Sequence, residues 1–207
     1  MRWTPTHIPD ILEALGQHLL LVGLSVGIAF AIALVLGIWS ARRPAVYAAV
    51  LAVTGAIFVI PSLALFALMI PFMGLGTKPA VAGLVAYCLL ILVRNVATGM
   101  RAVPADVLDA ALGMGYGRWG LLWRIELPLA LPHIVAGIRL ATVTVIGIAT
   151  VAAYINAGGL GAIIFAGIDQ RYPEKIIVGG LLTSLLAIGA DFVLTRVERR
   201  LRADRSA

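Results

Sequence analysis

Charged side chains are scarce in this chain, and their scarcity is the first indication of its class. Asp, Glu, Lys and Arg account for 13% of the 207 residues, whereas hydrophobic residues account for 61%. The mean hydropathy is +1.03. Soluble globular domains are about half apolar and about a quarter charged. The composition therefore excludes a soluble globular protein and predicts an integral membrane protein.

Side chains that carry covalent or metal chemistry are also few. The single cysteine, Cys88, excludes an intramolecular disulfide. The three histidines, His7, His18 and His133, lie far apart without acidic or cysteine companions at ligand spacing, so we predict no metal site and no cofactor in this chain. No Ser-His-Asp set converges and no phosphate-loop lysine motif occurs, so we predict neither catalytic residues nor ATP binding. We therefore expect a protein that is not an enzyme and takes its energy from elsewhere.

Long apolar runs are what this chain has in abundance. A transmembrane helix needs roughly 20 apolar residues, and we identify five such runs. They cover residues 18–39, 46–70, 79–93, 133–153 and 176–194. The predicted fold class is therefore all-α, with about five transmembrane helices. One membrane domain over residues 18–195 leaves an external N-terminal segment, 1–17, and a basic cytoplasmic tail, 196–207.

The net charge of +6 is distributed around the apolar runs. If the N-terminus is external, the outer side holds four basic residues and the inner side holds all the others among the 16. Because short cytoplasmic loops are enriched in Lys and Arg, we predict an external N-terminus and a cytoplasmic C-terminus. This placement argues against nucleic acid as a partner and favours contact with membrane lipid. The outer four are Arg2, Lys78, Arg171 and Lys175.

Asp191 is the one acidic residue inside a predicted span. An intramembrane acid is a functional candidate by default. Asp191 lies within about two turns of Arg196, however, and we expect the two to pair near the inner surface. One acid does not form a proton relay, and no inverted repeat is evident. An ion-coupled secondary transporter is therefore the weaker alternative, and a membrane scaffold that only tethers a partner stays open.

The segment between the third and fourth spans is the most informative part of the sequence. Pro104 suits the first position of a helix, and Asp106 and Asp109 suit the positive end of the helix dipole. Gly113 and Gly115 allow a sharp reversal after it, since glycine adopts backbone angles that other residues avoid. The helix would carry one narrow apolar stripe, which consists of Val103, Val107, Ala110, Ala111 and Met114.

A second short helix is predicted after Gly115. We expect Pro128 and Pro132 to stop it before the fourth span, because proline lacks the N–H that a helix needs. Its aromatic face and flanking arginines suit the headgroup boundary. On periodicity alone, an ordinary amphipathic connector between membrane helices explains the segment equally well. The face consists of Trp119, Leu122 and Trp123, with Arg118 and Arg124 beside it.

Five residues are candidates for the pathway or its gate. Pro61 divides the second span, where it frees a backbone carbonyl and kinks the helix. Tyr154 and Asn156 are expected at the outer mouth, although an interfacial anchor is the commoner role of such a tyrosine. Gly158 and Gly159 begin an apolar segment, 157–168, that is too short to span a membrane. We expect an interfacial or re-entrant helix there.

The polar segment as a whole has a strict spacing of an acid and two alanines, three residues, a glycine, nine residues, then Ile-x-Leu-Pro. This spacing resembles the cytoplasmic coupling loop of permease subunits of bacterial ABC importers, here over about residues 101–130. Residues 60–67, 94–95, 126–130 and 157–161 are similar to the osmoprotectant branch, which imports glycine betaine, choline, carnitine and similar amines. Two positions depart from the family pattern, Asp109 for the usual Glu and Asn156 for the expected Gly. The residues that match the coupling loop are Asp109, Ala110, Ala111, Gly115, Ile125, Leu127 and Pro128.

The resemblance implies the type I ABC importer permease fold and a division of labour among subunits. Two permease chains, identical or homologous, would form the pathway in the bacterial inner membrane. Two ATPase subunits beneath them would use ATP, and an external substrate-binding protein would deliver the substrate. The matched loop residues would transmit movement of the ATPases to the spans. A related importer for another small solute, such as an amino acid, is the alternative within the family.

Overall fold

The chain is almost entirely helical over residues 3–203, which are the residues that the computed structural model describes. Arg2, Arg205 and the end of the predicted tail lie outside the described residues. Short 3₁₀ turns occur at Thr4–Thr6 and Ala153–Ile155, and a π-helical turn occurs at Leu122–Glu126. The α-helices are α1 (Ile8–Ala41), α2 (Pro44–Val59), α3 (Ser62–Met73), α4 (Thr77–Arg101), α5 (Ala105–Gly113), α6 (Arg118–Leu121), α7 (Leu127–Ala152), α8 (Leu160–Asp169) and α9 (Pro173–Ala203).

Four helical segments of the described chain are long and apolar enough to cross a membrane. A fifth crossing results if α2 and α3, which meet at a bend of 99°, count as one broken span. The predicted all-α class with about five spans is confirmed. The first span differs in its boundary, because α1 begins at Ile8 and takes in most of the predicted N-terminal segment. The four segments are Ile8–Ala41, Thr77–Arg101, Arg118–Ile155 and Pro173–Leu201.

The bend between α2 and α3 lies at Pro61, as predicted. Ile60 and Pro61 adopt extended backbone, with ψ angles of 128° and 136°, since the residue before a proline avoids helical angles. The carbonyl of Ile60 accepts a hydrogen bond from the hydroxyl of Tyr87 on α4. A side chain from the neighbouring helix thus satisfies a carbonyl at the break, as the interior of a bilayer requires of backbone polar groups.

The prediction that Pro128 and Pro132 stop a helix is wrong. α6 continues through the π-helical turn into α7, and the whole segment is 38 residues long. Pro128 occupies the start of α7 directly after that turn, where the wider π geometry relieves the clash between its ring and the preceding turn. Pro132 lies buried inside α7. In membrane helices, packing by neighbouring helices compensates for such a missing N–H.

α1 and α7 both pack closely on α4, which is the central helix of the bundle. Gly37 of α1 lies against Val96 of α4, and a Cβ at Gly37 would fall 2.6 Å from the Val96 side chain. Gly137 of α7 lies as close to Asn95 of α4, where an added Cβ would fall at 2.5 Å. Small residues at such crossings let membrane helices approach closely. These two contacts therefore set the positions of α1 and α7 relative to α4.

α9 is connected to α7 by an ion-pair cluster around Arg139. The Arg139 guanidinium lies 3.7 Å from the Asp191 carboxylate and 3.6 Å from the Glu198 carboxylate. Asp191 thus pairs with Arg139 of α7 and not, as expected, with Arg196. Residues five apart on an α-helix point about 140° away from each other, and the Arg196 guanidinium instead stacks 3.8 Å over the ring of Phe192.

Candidate coupling loop and pathway cavity

The predicted coupling loop connects α4 to α7 and is largely exposed. Its first part is the predicted short helix, α5, which begins at Ala105. Pro104 has extended backbone and directly precedes the helix, one residue before the position predicted for it. α5 packs mainly against α6, and its one buried residue is Ala111. The loop therefore presents most of a nine-residue helix to its surroundings.

Only part of the apolar stripe that was predicted for this helix is buried. Val103 and Ala111 are buried against the protein, whereas Met114 is 70% exposed. Because α6 covers only one side of α5, the other side keeps both apolar and acidic side chains free. An amphipathic helix with such a face is suited to a groove in a partner protein. The exposed residues of α5 and its end include Val107, Asp109, Ala110, Leu112 and Met114.

The reversal after α5 depends on Gly115. Its φ angle is +85°, in the left-handed region that side chains with a Cβ avoid. The N–H of Gly115 donates to the carbonyl of Leu112, and the N–H of Tyr116 donates to the carbonyl of Ala111. This pair of hydrogen bonds is the Schellman motif, which ends a helix and satisfies its last carbonyls. Since nothing lies within 4 Å of an added Cβ, the backbone angle alone requires glycine there.

The last part of the matched motif lies where the loop returns to the bundle. Ile125 and Leu127 are half-buried, and Pro128 is exposed. Between them, Glu126 is buried and forms an ion pair with Arg42 at the end of α1. The spacing motif does not single out Glu126, although a carboxylate between the apolar residues Ile125 and Leu127 signals a paired charge, since acids are almost never buried unpaired.

A cavity of ≈ 810 Å³ opens at the opposite end of the bundle. Helices α1 and α4 supply aliphatic walls, and Met73 at the end of α3 closes one side. The 26 residues of α7 separate this cavity from the coupling loop by about 39 Å along the helix, at 1.5 Å per residue. The polar residues in its described lining are Gln17, Thr77, Lys78 and Asn156.

Sequence pattern did not identify three of these polar lining residues, Gln17, Thr77 and Lys78. Each lies within two residues before an apolar run, a place where a polar side chain is ordinary, so no local signal marks any of them as functional. Among residues 3–203, no group of three or more His, Cys, Asp or Glu side chains is placed to hold a metal ion.

The turn at Asn156 to Gly159 is held by the first helix. Asn156, Gly158 and Gly159 all have left-handed φ angles, of 62°, 76° and 76°. The N–H of Gly159 donates to the Oε1 atom of Gln17 at 3.0 Å. An added Cβ at Gly159 would fall 3.0 Å from Nδ1 of the buried His18, whose Nε2 lies 3.1 Å from the carbonyl of Ile146 on α7. Consecutive residues of α1 therefore fix the turn beside the cavity.

The structure brings together only part of the predicted pathway set. Asn156 and Gly158 line the cavity, and Gly159 is buried next to them. Tyr154 is exposed, with its ring 5.9 Å from that of Phe165. Pro61 lies at the α2–α3 bend, and neither it nor Tyr154 contributes to the cavity lining. The short apolar helix expected after the turn is present as α8.

Comparison with known sequences gives one family and a consistent set of relatives. Residues 33–203 match the family described as binding-protein-dependent transport system inner membrane component. The chain is 39% identical to the carnitine transport permease protein OpuCB of Listeria monocytogenes, over 93% of this chain and 88% of that protein. It is 36% identical to the glycine betaine/carnitine/choline transport system permease protein OpuCB of Bacillus subtilis, over 97% and 92%. It is 41% identical to the osmoprotectant import permease protein OsmW of Salmonella typhimurium, over 88% and 87%.

Comparison with solved structures agrees on the fold. A chain of the MetNI methionine ABC transporter, in an inward-facing conformation, superposes with a TM-score of 0.81 at 22% identity. The match covers 92% of this chain and 95% of that chain. A chain of an amino acid ABC transporter matches with a TM-score of 0.68 at 18% identity, over 96% and 95%. At these identities the similarity shows a shared fold alone.

We expect the substitution Gly159→Ala to destabilise the turn beside the cavity. With φ of 76° and ψ of −173°, Gly159 lies in a backbone region that is essentially restricted to glycine and costs other residues about 1–3 kcal/mol. The new methyl group would also press on His18. The measurement is thermal unfolding of the purified protein in detergent, where we expect a lower midpoint. Gly147→Ala is the matched control, since it has open space and an ordinary φ angle. Equal stability of both variants and the parent protein would contradict the constraint.

Proposed function

Because this chain belongs to the binding-protein-dependent transport system inner membrane component family, we propose that it carries quaternary-amine osmoprotectants such as glycine betaine, choline or carnitine. The chain is a permease subunit of an ABC importer. The observation that carries the substrate class is 36–41% identity, over nearly the full length, to permeases named for these solutes or for osmoprotectant import. The chain would form the translocation pathway.

The family works with partner subunits, namely ATPases and a substrate-binding protein. We propose two copies of the ATPase, a second permease chain that is identical or homologous, and an external binding protein. ATP would be hydrolysed only by the ATPase subunits, and this chain would need no cofactor. The protein is a multi-pass membrane protein, and we propose the bacterial inner membrane as its location.

The exposed helix α5 would be the contact with the ATPase. Its free face combines the Asp109 carboxylate with apolar side chains, and the Schellman turn at Gly115 sets the direction in which the helix projects. When ATP draws the two ATPases together, their grooves would move as rigid bodies and carry α5 with them. Ile125, Leu127 and Pro128 lie where that movement would enter α7.

The cavity beside Asn156 and Gly158 would belong to the pathway. Its walls are aliphatic, and its described lining holds no aromatic side chain. Quaternary ammonium groups are recognised by aromatic cages. We therefore assign tight recognition to the external binding protein and passage without tight binding to this chain. Tyr154 and Pro61 would act outside this cavity, as an interfacial anchor and as the bend of a broken helix.

The substrate class is tested by reconstituting the complex in lipid vesicles with each component omitted in turn. We expect uptake of labelled glycine betaine, carnitine or choline only when permease, ATPase, ATP and the loaded external protein are all present. The loaded external protein should raise ATP hydrolysis, because it favours one conformational state of the complex. The permease alone should hydrolyse no ATP. Concentrative uptake by the permease alone, driven by a proton or sodium gradient, would instead establish a secondary transporter.

The coupling role is tested by Gly115→Val and, separately, Asp109→Lys. Valine disfavours the left-handed angle at the Schellman turn, and lysine reverses the charge on the free face of α5, so we expect uptake to be lost while the protein remains in the membrane. Co-purification with the ATPase and uptake assays are the measurements. Gly117→Val adds the same bulk where the backbone is extended, and Asp109→Glu keeps the charge, so both should retain uptake. Undiminished uptake in both test variants would refute the role.

The orientation is tested by labelling the two ends of the chain. We expect a cysteine that replaces Thr6 to react with a thiol reagent that cannot cross membranes. A reporter that is active only in the cytoplasm should be active when it is fused after the last residue. Cys88 is buried, so its background labelling should be low. The prediction follows from the placement of basic residues at the end of the bundle that carries the coupling loop. An external C-terminus would overturn it.

A further inference from the structure

Both ends of the coupling loop are attached to the C-terminal end of α1. Arg101, the last residue of α4, precedes the loop, and its Nε donates to the carbonyl of Ala41 at 2.8 Å. Its Nη2 donates to the carbonyl of Ser40 at 3.4 Å. The guanidinium also lies 3.9 Å above the ring of Tyr47. The bond to Ala41 satisfies a carbonyl at the helix end, where the last carbonyls lack partners within the helix, whereas the Ser40 carbonyl also accepts from the N–H of Arg43.

Glu126 provides the second attachment, at the point where the loop returns to the bundle. It is the last residue of the π-helical turn, and 3% of its side chain is exposed. Its carboxylate forms an ion pair with Arg42, the residue that follows α1. A buried carboxylate is strongly destabilising once its partner is removed. The pair therefore holds the return of the loop to the same helix end that Arg101 contacts.

The other half of α1 holds the turn beside the cavity. Gln17 accepts the hydrogen bond from Gly159 and lines the cavity, and His18 packs against the same glycine. Gln17 and Ala41 lie about 36 Å apart along a continuous helix at 1.5 Å per residue. No proline interrupts α1 between them. One stiff element thus contacts the coupling loop at one end and the cavity turn at the other.

We propose that Arg42, Glu126 and Arg101 are positioning residues that join the coupling loop to α1, and that α1 transmits movement of the loop to the Gly158–Gly159 turn. The inference rests on the coupling role proposed for α5. Because α5 packs mainly on α6, a displacement of α5 reaches the helix bundle through the two ends of the loop. Both ends are bonded to residues 40–42, and α1 is held against α4 at Gly37. Close-packed interiors transmit such displacements because they have little free volume.

A purely structural ion pair predicts a different result from a transmitting one. Loss of a stabilising pair lowers the amount of folded protein, but each assembled complex then still moves solute with its normal consumption of ATP. Loss of a transmitting pair leaves an assembled complex that hydrolyses ATP without moving solute. The number of ATP molecules hydrolysed per solute imported separates the two.

The experiment measures this ratio in the reconstituted complex with glycine betaine and the loaded external protein. The variants are Arg42→Gln and Glu126→Gln, each of which removes one charge of the pair. We expect the ATPase to co-purify normally and its stimulation to persist, while the ratio of ATP to solute rises about tenfold, within the range for one contact of a coupling network. Arg43→Gln is the matched control, since Arg43 stacks on Trp39 and forms no ion pair within residues 3–203. Its ratio should stay at that of the parent protein.

The exchanged pair Arg42→Glu with Glu126→Arg completes the test. We expect the ratio to fall at least about threefold below that of the neutral variants, because opposite charges pair again, although the two positions differ in burial. An unchanged ratio in both neutral variants would overturn the proposal. Loss of ATPase binding in them would also overturn it, since the residues would then support docking. If the neutral variants do not accumulate, the variant with exchanged charges decides the question. Either a raised ratio of ATP to solute in this variant, or its failure to accumulate, counts against transmission.

Failure of this inference and failure of the proposed coupling role give different results. If α5 is not the contact with the ATPase, Asp109→Lys leaves uptake intact. If only the transmission through α1 is wrong, Asp109→Lys abolishes uptake while Glu126→Gln keeps the normal ratio of ATP to solute.

Discussion

Close contact between helix backbones is the constraint on which the rest of this structure depends. Within a bilayer no hydrophobic driving force acts between helices, so association relies on van der Waals packing and a few polar contacts. α4 meets α1 where Gly37 faces Val96, and it meets α7 where Gly137 faces Asn95. A side chain at either glycine would force the helices apart. The three packed helices hold the coupling loop at one end of the bundle and the cavity at the other.

α5 and the broken pair α2 and α3 pack less extensively than the three central helices. α5 is covered mainly by α6, and Ala111 is its one buried residue. The broken pair α2 and α3 is attached largely to α4, where Tyr87 satisfies the carbonyl of Ile60. Segments with few buried contacts are the ones that open or shift at low free-energy cost. The proposed division of labour, in which partner subunits use ATP, is consistent with a packed centre and exposed attachments.

Packing between distant parts of the chain enters each error of sequence reasoning. Pro128 was expected to end a helix, but the π-helical turn before it and the neighbours of α7 allow the helix to continue. Asp191 was expected to pair with Arg196, but its partner is Arg139 on another helix. For Pro128 the local rule was sound, and contacts from outside the segment decided the outcome. For Asp191 the helix itself already disfavoured the expected pair, because residues five apart point about 140° away from each other. The cavity lining was missed at Gln17 because contacts from outside the segment decide it as well.

Hydropathy and the pattern of proline and glycine were sufficient for the fold class, for about five spans, and for the short helix and turn of the predicted coupling loop. Each of these is a local property: a span follows from about 20 apolar residues, a helix start from Pro104, and its reversal from Gly115. The tertiary structure alone decided what the loop is attached to. Glu126 meets a residue 84 positions earlier in the chain, and Gly159 meets one 142 positions earlier. No periodicity encodes such pairs, because they exist only after helix packing has brought their backbones together.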